Sequence, residues 1–131
     1  MKTVRPKRVV ARPRRQSTSI KIKRVYEPAA KDDGVRILID RLWPRGLSKE
    51  TLAHDAWPRD IAPSNELRKW YDHDPKRAVE FRRRYLAELE AHRDELTALR
   101  AKLKGRTATL LTATREIELS HATVLRELLK K

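Results

Sequence analysis

Alternating and continuous apolar runs predict three β-strands in this chain of 131 residues. Apolar and basic residues alternate from Ile20 to Tyr26, the period of a strand with one buried face. A nearly continuous aliphatic run at 35–40 predicts a strand buried on both faces. The β-forming run 107–113 predicts the last strand. The loop 27–34 is shorter than the dozen or so residues of a usual parallel crossover, so these residues alone do not decide how the first two strands pair.

The rest of the chain shows the periodicity and the capping residues of helices. Asp74 begins a long helical region whose apolar residues recur at steps of three and four over 78–103. A polar gap at 92–94 predicts a break with Asp94 as the cap of a second helix, and Gly105 ends the region. Serines that can cap further helices are Ser48, Ser64 and Ser120. Strands that alternate with helices predict one α/β domain over residues 20–131, three-layer-like, with a small, mainly parallel sheet flanked by helices.

Charge adds a separate N-terminal segment to this picture. Half of the net charge of +14 comes from residues 1–19, which contain seven basic residues and no acid. Pro6 and Pro13 interrupt any regular pattern, so we predict a disordered basic arm. Such an arm suits nonspecific binding to nucleic acid. It is equally typical of a solubilising extension or an organellar transit peptide.

Several classes of site and location are disfavoured by composition. The chain has no cysteine, which removes disulfides, thiolate metal sites and cysteine nucleophiles. No apolar run approaches the length of a membrane span, and no signal-peptide core precedes the first strand, so a cytoplasmic protein is predicted. The histidines lack metal-ligand spacing and there is no glycine-rich phosphate loop, so no metal or cofactor is predicted.

A polar cluster, DRLWPRG at 40–46, directly follows the second predicted strand. Ligands bind at the carboxyl ends of strands in open α/β sheets, which makes this cluster a candidate site. Asp40 and His121 are the candidate acid–base pair, because a position at a helix start favours a neutral imidazole. Arginine forks suit phosphate or carboxylate, and an indole can stack on a base. The candidate ligand-binding residues are Arg41, Trp43, Arg45, Arg115 and His73.

Structural roles compete with these assignments. Asp40 can form an ion pair with Arg41 or Arg45 that fixes the turn, and Trp43 can fill a packed corner. His121 can serve as a helix-capping residue. His73 can anchor its helix to the domain instead of lining a cleft.

The chain resembles the small YeaO-like bacterial proteins, an uncharacterised domain-of-unknown-function family. The resemblance spans residue 20 to the C-terminus and is carried by DRLWPRG, by IAPSNELRKWYDHDP at 61–75 and by FRRRY at 81–85. Larger relatives imply a three-layer α/β fold with a helix between the first two strands. This favours parallel pairing, with that helix shortened to a loop. The basic arm, Glu116 in place of a common Asp, and a missing proline near Arg93 depart from the family pattern.

The family resemblance supplies no established activity, although some members are described as transcriptional regulators. We therefore carry two hypotheses. The first is a protein that binds, or acts on, a phosphorylated or nucleotide-like ligand at the strand ends, with enzymatic activity left open. The alternative is a nucleic-acid-associated protein, a possible regulator, that uses the arm and basic helix faces such as 82–84. An interaction module without chemistry is a third possibility.

Overall fold

The structure is a computed structural model that describes residues 18–130. Three strands form one sheet in the order β1–β3–β2, and both pairings are parallel. Strand β1 is Ser19–Arg24, β2 is Val35–Leu38 and β3 is Thr107–Thr112. The predicted parallel α/β sheet is confirmed. The predicted arm lies outside the described residues except for its last two positions, of which Ser19 begins β1.

The first two strands run in the same direction but do not pair with each other, because β3 lies between them. Strand β3 is the most uniformly buried, with only Thr107 exposed, because a neighbouring strand covers each of its two edges. The Lys-containing β1 and the short β2 take the edges. The connection from β1 to β2 crosses β3 as a loop with one 3-10 turn, Lys31–Asp33, which agrees with the loop predicted at 27–34.

Gly34 allows this connecting loop to pass close to β3. Its φ is +66°, and a Cβ built there would lie 2.0 Å from the Thr107 carbonyl oxygen. Any side chain at this position would displace the start of β2 from its partner strand.

Five α-helices surround the sheet in the described part of the chain. They are α1 Lys49–Leu52, α2 Asn65–Tyr71, α3 Ala78–Ala91, α4 Arg93–Leu103 and α5 His121–Lys130. The predicted serine caps are confirmed for α1, α2 and α5, since each Oγ accepts a backbone N–H at 3.1 Å in the first turn. Within residues 18–130 no helix combines the length and apolar character needed to cross a bilayer.

The predicted break in the long helical region is confirmed at His92. This residue has φ −115° and ψ 32°, and it separates α3 from α4. Asp94 was expected to cap the second helix, but α4 already begins at Arg93 and Asp94 lies in its first turn. Before α3, Asp74 caps a 3-10 turn at Pro75–Arg77 through its side chain.

Each face of the sheet contributes to its own apolar core. The larger core lies under α2, α3, α4 and α5, and its sheet residues are Ile20, Ile37, Ile39, Ala108 and Leu110. The smaller core contains Val25, Leu38, Leu52 and Leu111, with Trp43, Leu47, Trp57 and Ala113 packed against it. One layer is thus built of helices, and the opposite layer of loops and the single turn of α1. This arrangement leaves the carboxyl ends of the strands open between the two layers.

Candidate functional site

A cavity of about 410 Å³ lies at the carboxyl ends of the three strands. It is framed by Tyr26 after β1, residues 40–45 after β2 and residues 112–114 after β3. The end of α2 and the start of α5 close the remaining sides. The volume falls within the range of pockets that hold small molecules. The strand-end location predicted for the site therefore coincides with a real cavity.

Asp40 connects three elements at the floor of this cavity. Its Oδ1 accepts a hydrogen bond from the Thr112 hydroxyl at 2.8 Å, and its Oδ2 accepts one from the Ala113 backbone N–H at 2.8 Å. His121 Nε2 lies 3.1 Å from Oδ1. The carboxylate therefore ties the exit of β2 to the exit of β3 and to the start of α5.

The charge state of Asp40 follows from these contacts. Burial raises the pKa of Asp40. The hydrogen bond with His121 and the charge of the protonated ring lower this pKa, and the hydrogen bonds from Ala113 and Thr112 lower it further. The net result is a pKa of Asp40 below its ordinary value. The alternative in which Asp40 pairs with Arg41 or Arg45 is wrong for this structure, because neither guanidinium forms an ion pair with it in the described chain.

His121 is held in one orientation. Its Nε2 lies 3.0 Å from the Ile39 carbonyl oxygen as well as near Asp40, and since both groups are acceptors, Nε2 carries the hydrogen. The ring also meets the fully buried Tyr85 edge-on, at 6.1 Å between centroids. Tyr85 is fixed in turn by a hydrogen bond to the Ile61 carbonyl. Among the described residues nothing hydrogen-bonds Nδ1, so Nδ1 is the ring nitrogen left for a ligand.

Three arginines line the cavity: Arg41, Arg45 and Arg68. Arg41 is partly buried, and its Nε and Nη2 donate to the carbonyls of Pro63 and Ala62 at 3.0 and 2.9 Å. This side chain therefore also holds the loop that leads into α2. Arg45 and Arg68 are exposed and form no ion pair within the described residues. Their guanidinium groups are consequently the more available to a ligand.

Trp43 lines the cavity but is used mainly for packing. Its indole N–H donates to the Leu47 carbonyl at 2.7 Å, and its ring meets His54 and Trp57 edge-on. The ring belongs to the smaller core. This arrangement matches the alternative in which Trp43 fills a packed corner, and it leaves little of the ring to stack on a ligand.

The two remaining candidates have different positions. His73 lines the cavity and follows Asp72 in a pair of left-handed residues, φ 48° and 53°, that turn the chain at the end of α2. Arg115 is exposed and does not line the cavity, because β3 ends at Thr112 and the chain turns away after Thr114. The next residue, Glu116, is likewise exposed and absent from the cavity lining.

Sequence reasoning missed two aromatic residues of the site. Tyr26 was assigned only as the last position of the alternating first strand, and Tyr71 only as part of the motif at 61–75. Tyr26 lies at the cavity rim, and Tyr71 lines the wall with its hydroxyl donated to the Leu119 carbonyl. Nothing in a single sequence distinguishes Tyr26 from a strand residue, because the position of its ring depends on the turn that follows.

Two further features bear on the alternative hypotheses. Within residues 18–130 no group of three or more His, Asp or Glu side chains is placed to hold a metal ion. The basic run 82–84 on α3 is partly neutralised, since Arg82 pairs with Glu127 and both Arg83 and Arg84 pair with Glu80. This helix face is therefore less positive than its sequence indicates.

The comparisons with known proteins agree with the resemblance noted from the motifs. A family model described as "Inactive DUF488-N3 subclade" matches residues 19–131. The uncharacterized protein Rv3073c of Mycobacterium tuberculosis is 46% identical over 115 residues, 87% of this chain and 96% of that protein. The uncharacterized protein YeaO of Escherichia coli is 45% identical over 112 residues, 86% of this chain and 97% of that protein.

No solved structure matches the chain at a significant level. The family model covers nearly all of the described domain, and the relatives align over most of their own length. The chain therefore belongs to the DUF488-N3 family of YeaO-like uncharacterised proteins.

Proposed function

We propose that this protein binds a small phosphorylated or nucleotide-like anion in the cavity at the strand ends. The observation that carries the proposal is the charge of the lining. Arg41, Arg45 and Arg68 surround a cavity whose single lining carboxylate, Asp40, is already satisfied by protein donors. An anion entering this space meets guanidinium groups without a competing free acid, and guanidinium geometry matches phosphate oxygens.

Binding is favoured over covalent chemistry by the state of the hydroxyl groups. A nucleophilic hydroxyl needs a base within hydrogen-bond reach. In the cavity lining, Tyr26, Tyr71 and Ser120 donate instead to backbone carbonyls, which are not bases. Thr112 donates to the Asp40 carboxylate, but this threonine is fully buried and the lowered pKa of Asp40 makes it a weak base. The word "inactive" in the description of the matching family model points the same way. His121 then serves as a fixed hydrogen-bonding group for the ligand.

Isothermal titration with three probes tests the proposal: inorganic phosphate, ribose phosphate and adenosine monophosphate. We expect at least one phosphorylated probe to bind, and the double variant Arg45→Ala/Arg68→Ala to weaken it by about tenfold or more. Each hydrogen bond from a charged donor contributes about 1.5–3 kcal/mol, which corresponds to roughly ten- to 100-fold in affinity.

The matched control is Arg83→Ala/Arg93→Ala, which removes the same charge from exposed arginines that do not line the cavity. This control should leave affinity nearly unchanged. If no phosphorylated probe binds at millimolar concentration, or if both double variants weaken binding equally, the proposal fails. Binding that depends only on the basic residues of the N-terminal arm, and falls steeply with salt, would instead favour the nucleic-acid alternative.

A further inference from the structure

The exposed apolar side chains of this protein are concentrated at the cavity. Three large apolar side chains are exposed in the described chain: Tyr26 at 48%, Leu42 at 56% and Val79 at 85%. Tyr26 and Leu42 both line the cavity at the strand ends, and Val79 does not. Single exposed apolar residues are common on protein surfaces, but two that line the same cationic cavity offer it apolar surface.

The Tyr26 ring is held in place from two sides. The turn that carries it is closed by a hydrogen bond from the Glu27 N–H to the Arg24 carbonyl at 3.0 Å. The Glu27 carboxylate accepts the Arg24 N–H at 2.9 Å in return. The Tyr26 hydroxyl donates to the Arg45 carbonyl at 3.2 Å, which connects the loop after β1 with the loop after β2 across the exit of β3.

A guanidinium group covers part of this ring. The Arg24 Cζ lies 5.2 Å from the Tyr26 ring centroid, and Arg24 is itself anchored by donating to the carbonyls of Ala113 and Thr114 at 3.2 Å. A cation near an aromatic ring restricts its motion. Nearly half of the tyrosine surface stays exposed despite this support. The ring is thus fixed before any ligand arrives, which lowers the entropic cost of stacking against it.

We propose that Tyr26 and Leu42 form the wall against which a planar aromatic group of the ligand stacks, so that the ligand is a nucleotide. This inference rests on the proposed function, because the phosphate of the same molecule is bound by the arginines that line the cavity. Sugar phosphates without a base would leave the apolar wall exposed to water. Trp43 does not replace Tyr26 in this role, since its ring is packed into the smaller core.

The experiment compares adenosine monophosphate, uridine monophosphate and ribose phosphate on the full chain by isothermal titration. We expect the nucleotides to bind about five- to 100-fold more tightly than ribose phosphate, the range that one stacked base supplies. Tyr26→Ala should remove most of this difference, and its affinity for ribose phosphate should equal that of Tyr26→Phe, because both variants lose the hydroxyl bond to the Arg45 carbonyl. Tyr26→Phe should retain the difference, because it keeps the ring and loses only the hydroxyl.

Val79→Ala is the matched control, since it truncates an exposed apolar side chain away from the cavity. Equal affinities for nucleotides and ribose phosphate in the unaltered protein would overturn the stacking inference and leave the proposed function standing. Equal losses for all three probes in Tyr26→Ala would also overturn it. Absence of binding by every probe, or indifference to Arg45→Ala/Arg68→Ala, would remove the proposed function itself.

Light scattering tests whether a second copy of the chain, and not a nucleotide, contacts Tyr26 and Leu42. If the protein self-associates and Tyr26→Ala abolishes that association without altering nucleotide affinity, the wall is an interface between copies of the chain. That outcome contradicts the stacking inference.

Discussion

Two aspartates flank strand β2, and their surroundings differ in kind. Asp33, just before the strand, is 1% exposed and is surrounded by fixed cations. Lys23 Nζ lies 3.1 Å from both of its carboxylate oxygens, and Arg36 Nη1 donates to one of them. Asp40, just after the strand, is 18% exposed, and its basic partner in the described chain is a histidine, which is charged only when protonated.

The difference separates a structural carboxylate from a site carboxylate. Burial opposes ionisation of Asp33, but the Ala30 N–H and the Lys23 and Arg36 side chains lower its pKa to about 2. Its partners are permanently charged and leave nothing for a ligand to change. Asp40 is held by neutral donors and a titratable imidazole beside a cavity. The partners of a buried carboxylate and its access to a cavity therefore indicate whether it belongs to a site. Burial alone does not distinguish Asp33 from Asp40.

The largest effect is expected from Asp33→Ala. Removal of the carboxylate leaves Lys23 and Arg36 close together without compensation, and loss of one partner of a buried pair costs about 3–5 kcal/mol. Urea unfolding measures the free energy of unfolding. The control is Asp32→Ala, which truncates the neighbouring carboxylate, 84% exposed and paired only with Lys21 in the described chain. It should cost less than about 1 kcal/mol. Similar losses in both variants would contradict the structural role of Asp33.

Acid is expected to destabilise the protein through the same carboxylate. The pKa of Asp33 falls from 3.8 to about 2 on folding, so its contribution is complete above about pH 5 and is lost as the pH falls through 3.8 toward 2. The shift corresponds to roughly 2 kcal/mol. Urea unfolding of the unaltered protein and of Asp33→Asn across this pH range should show a steeper acid loss in the unaltered protein. Parallel pH curves would show that Asp33 does not titrate as described.

A smaller loss of stability is expected from Asp40→Asn. In one orientation the amide oxygen accepts from Thr112 and His121, but the amide nitrogen, a donor, faces the Ala113 N–H. In the other orientation the oxygen accepts from Ala113, and the contacts made by Thr112 and His121 with a carboxylate oxygen are lost. One unsatisfied hydrogen bond costs about 1–3 kcal/mol. In the folded protein we expect weaker binding of adenosine monophosphate, because the His121 ring is no longer fixed. Asp33→Asn should leave that affinity unchanged. Equal effects of the two variants on affinity would remove the distinction between the two aspartates.

Much of the fold could be predicted from the sequence, because the residues that begin and end its helices act on their near neighbours. Serine caps, the Asp74-Pro75 start and the polar gap before α4 depend on neighbours within one helical turn, and these predictions are confirmed. Strand order was not accessible. The alternation in β1 predicts which side is buried, but it does not reveal that Lys23 reaches a carboxylate in the following loop.

The candidate site was predictable in part for the same reason. Asp40 and His121 each stand at the end or start of an element, and the topology of a parallel sheet brings such positions together. The positions of Tyr26 and Arg115 depend instead on the direction of the chain within a turn. One turn carries Tyr26 to the cavity rim, and another carries Arg115 away from its lining. Two or three backbone dihedral angles decide such outcomes, and periodicity does not encode them.

The placement of β3 in the middle of the sheet has a consequence for biosynthesis. Both pairings between the three strands of the described chain include β3, which is the last of the three to be made. A nascent chain that ends before Thr107 contains β1 and β2 but not the strand that separates and joins them. The sheet therefore cannot assemble before β3 has been made, and both edge strands must wait for residues 107–112 to leave the ribosome. Long-range pairing of this kind slows folding and leaves both edge strands dependent on residues that are made later.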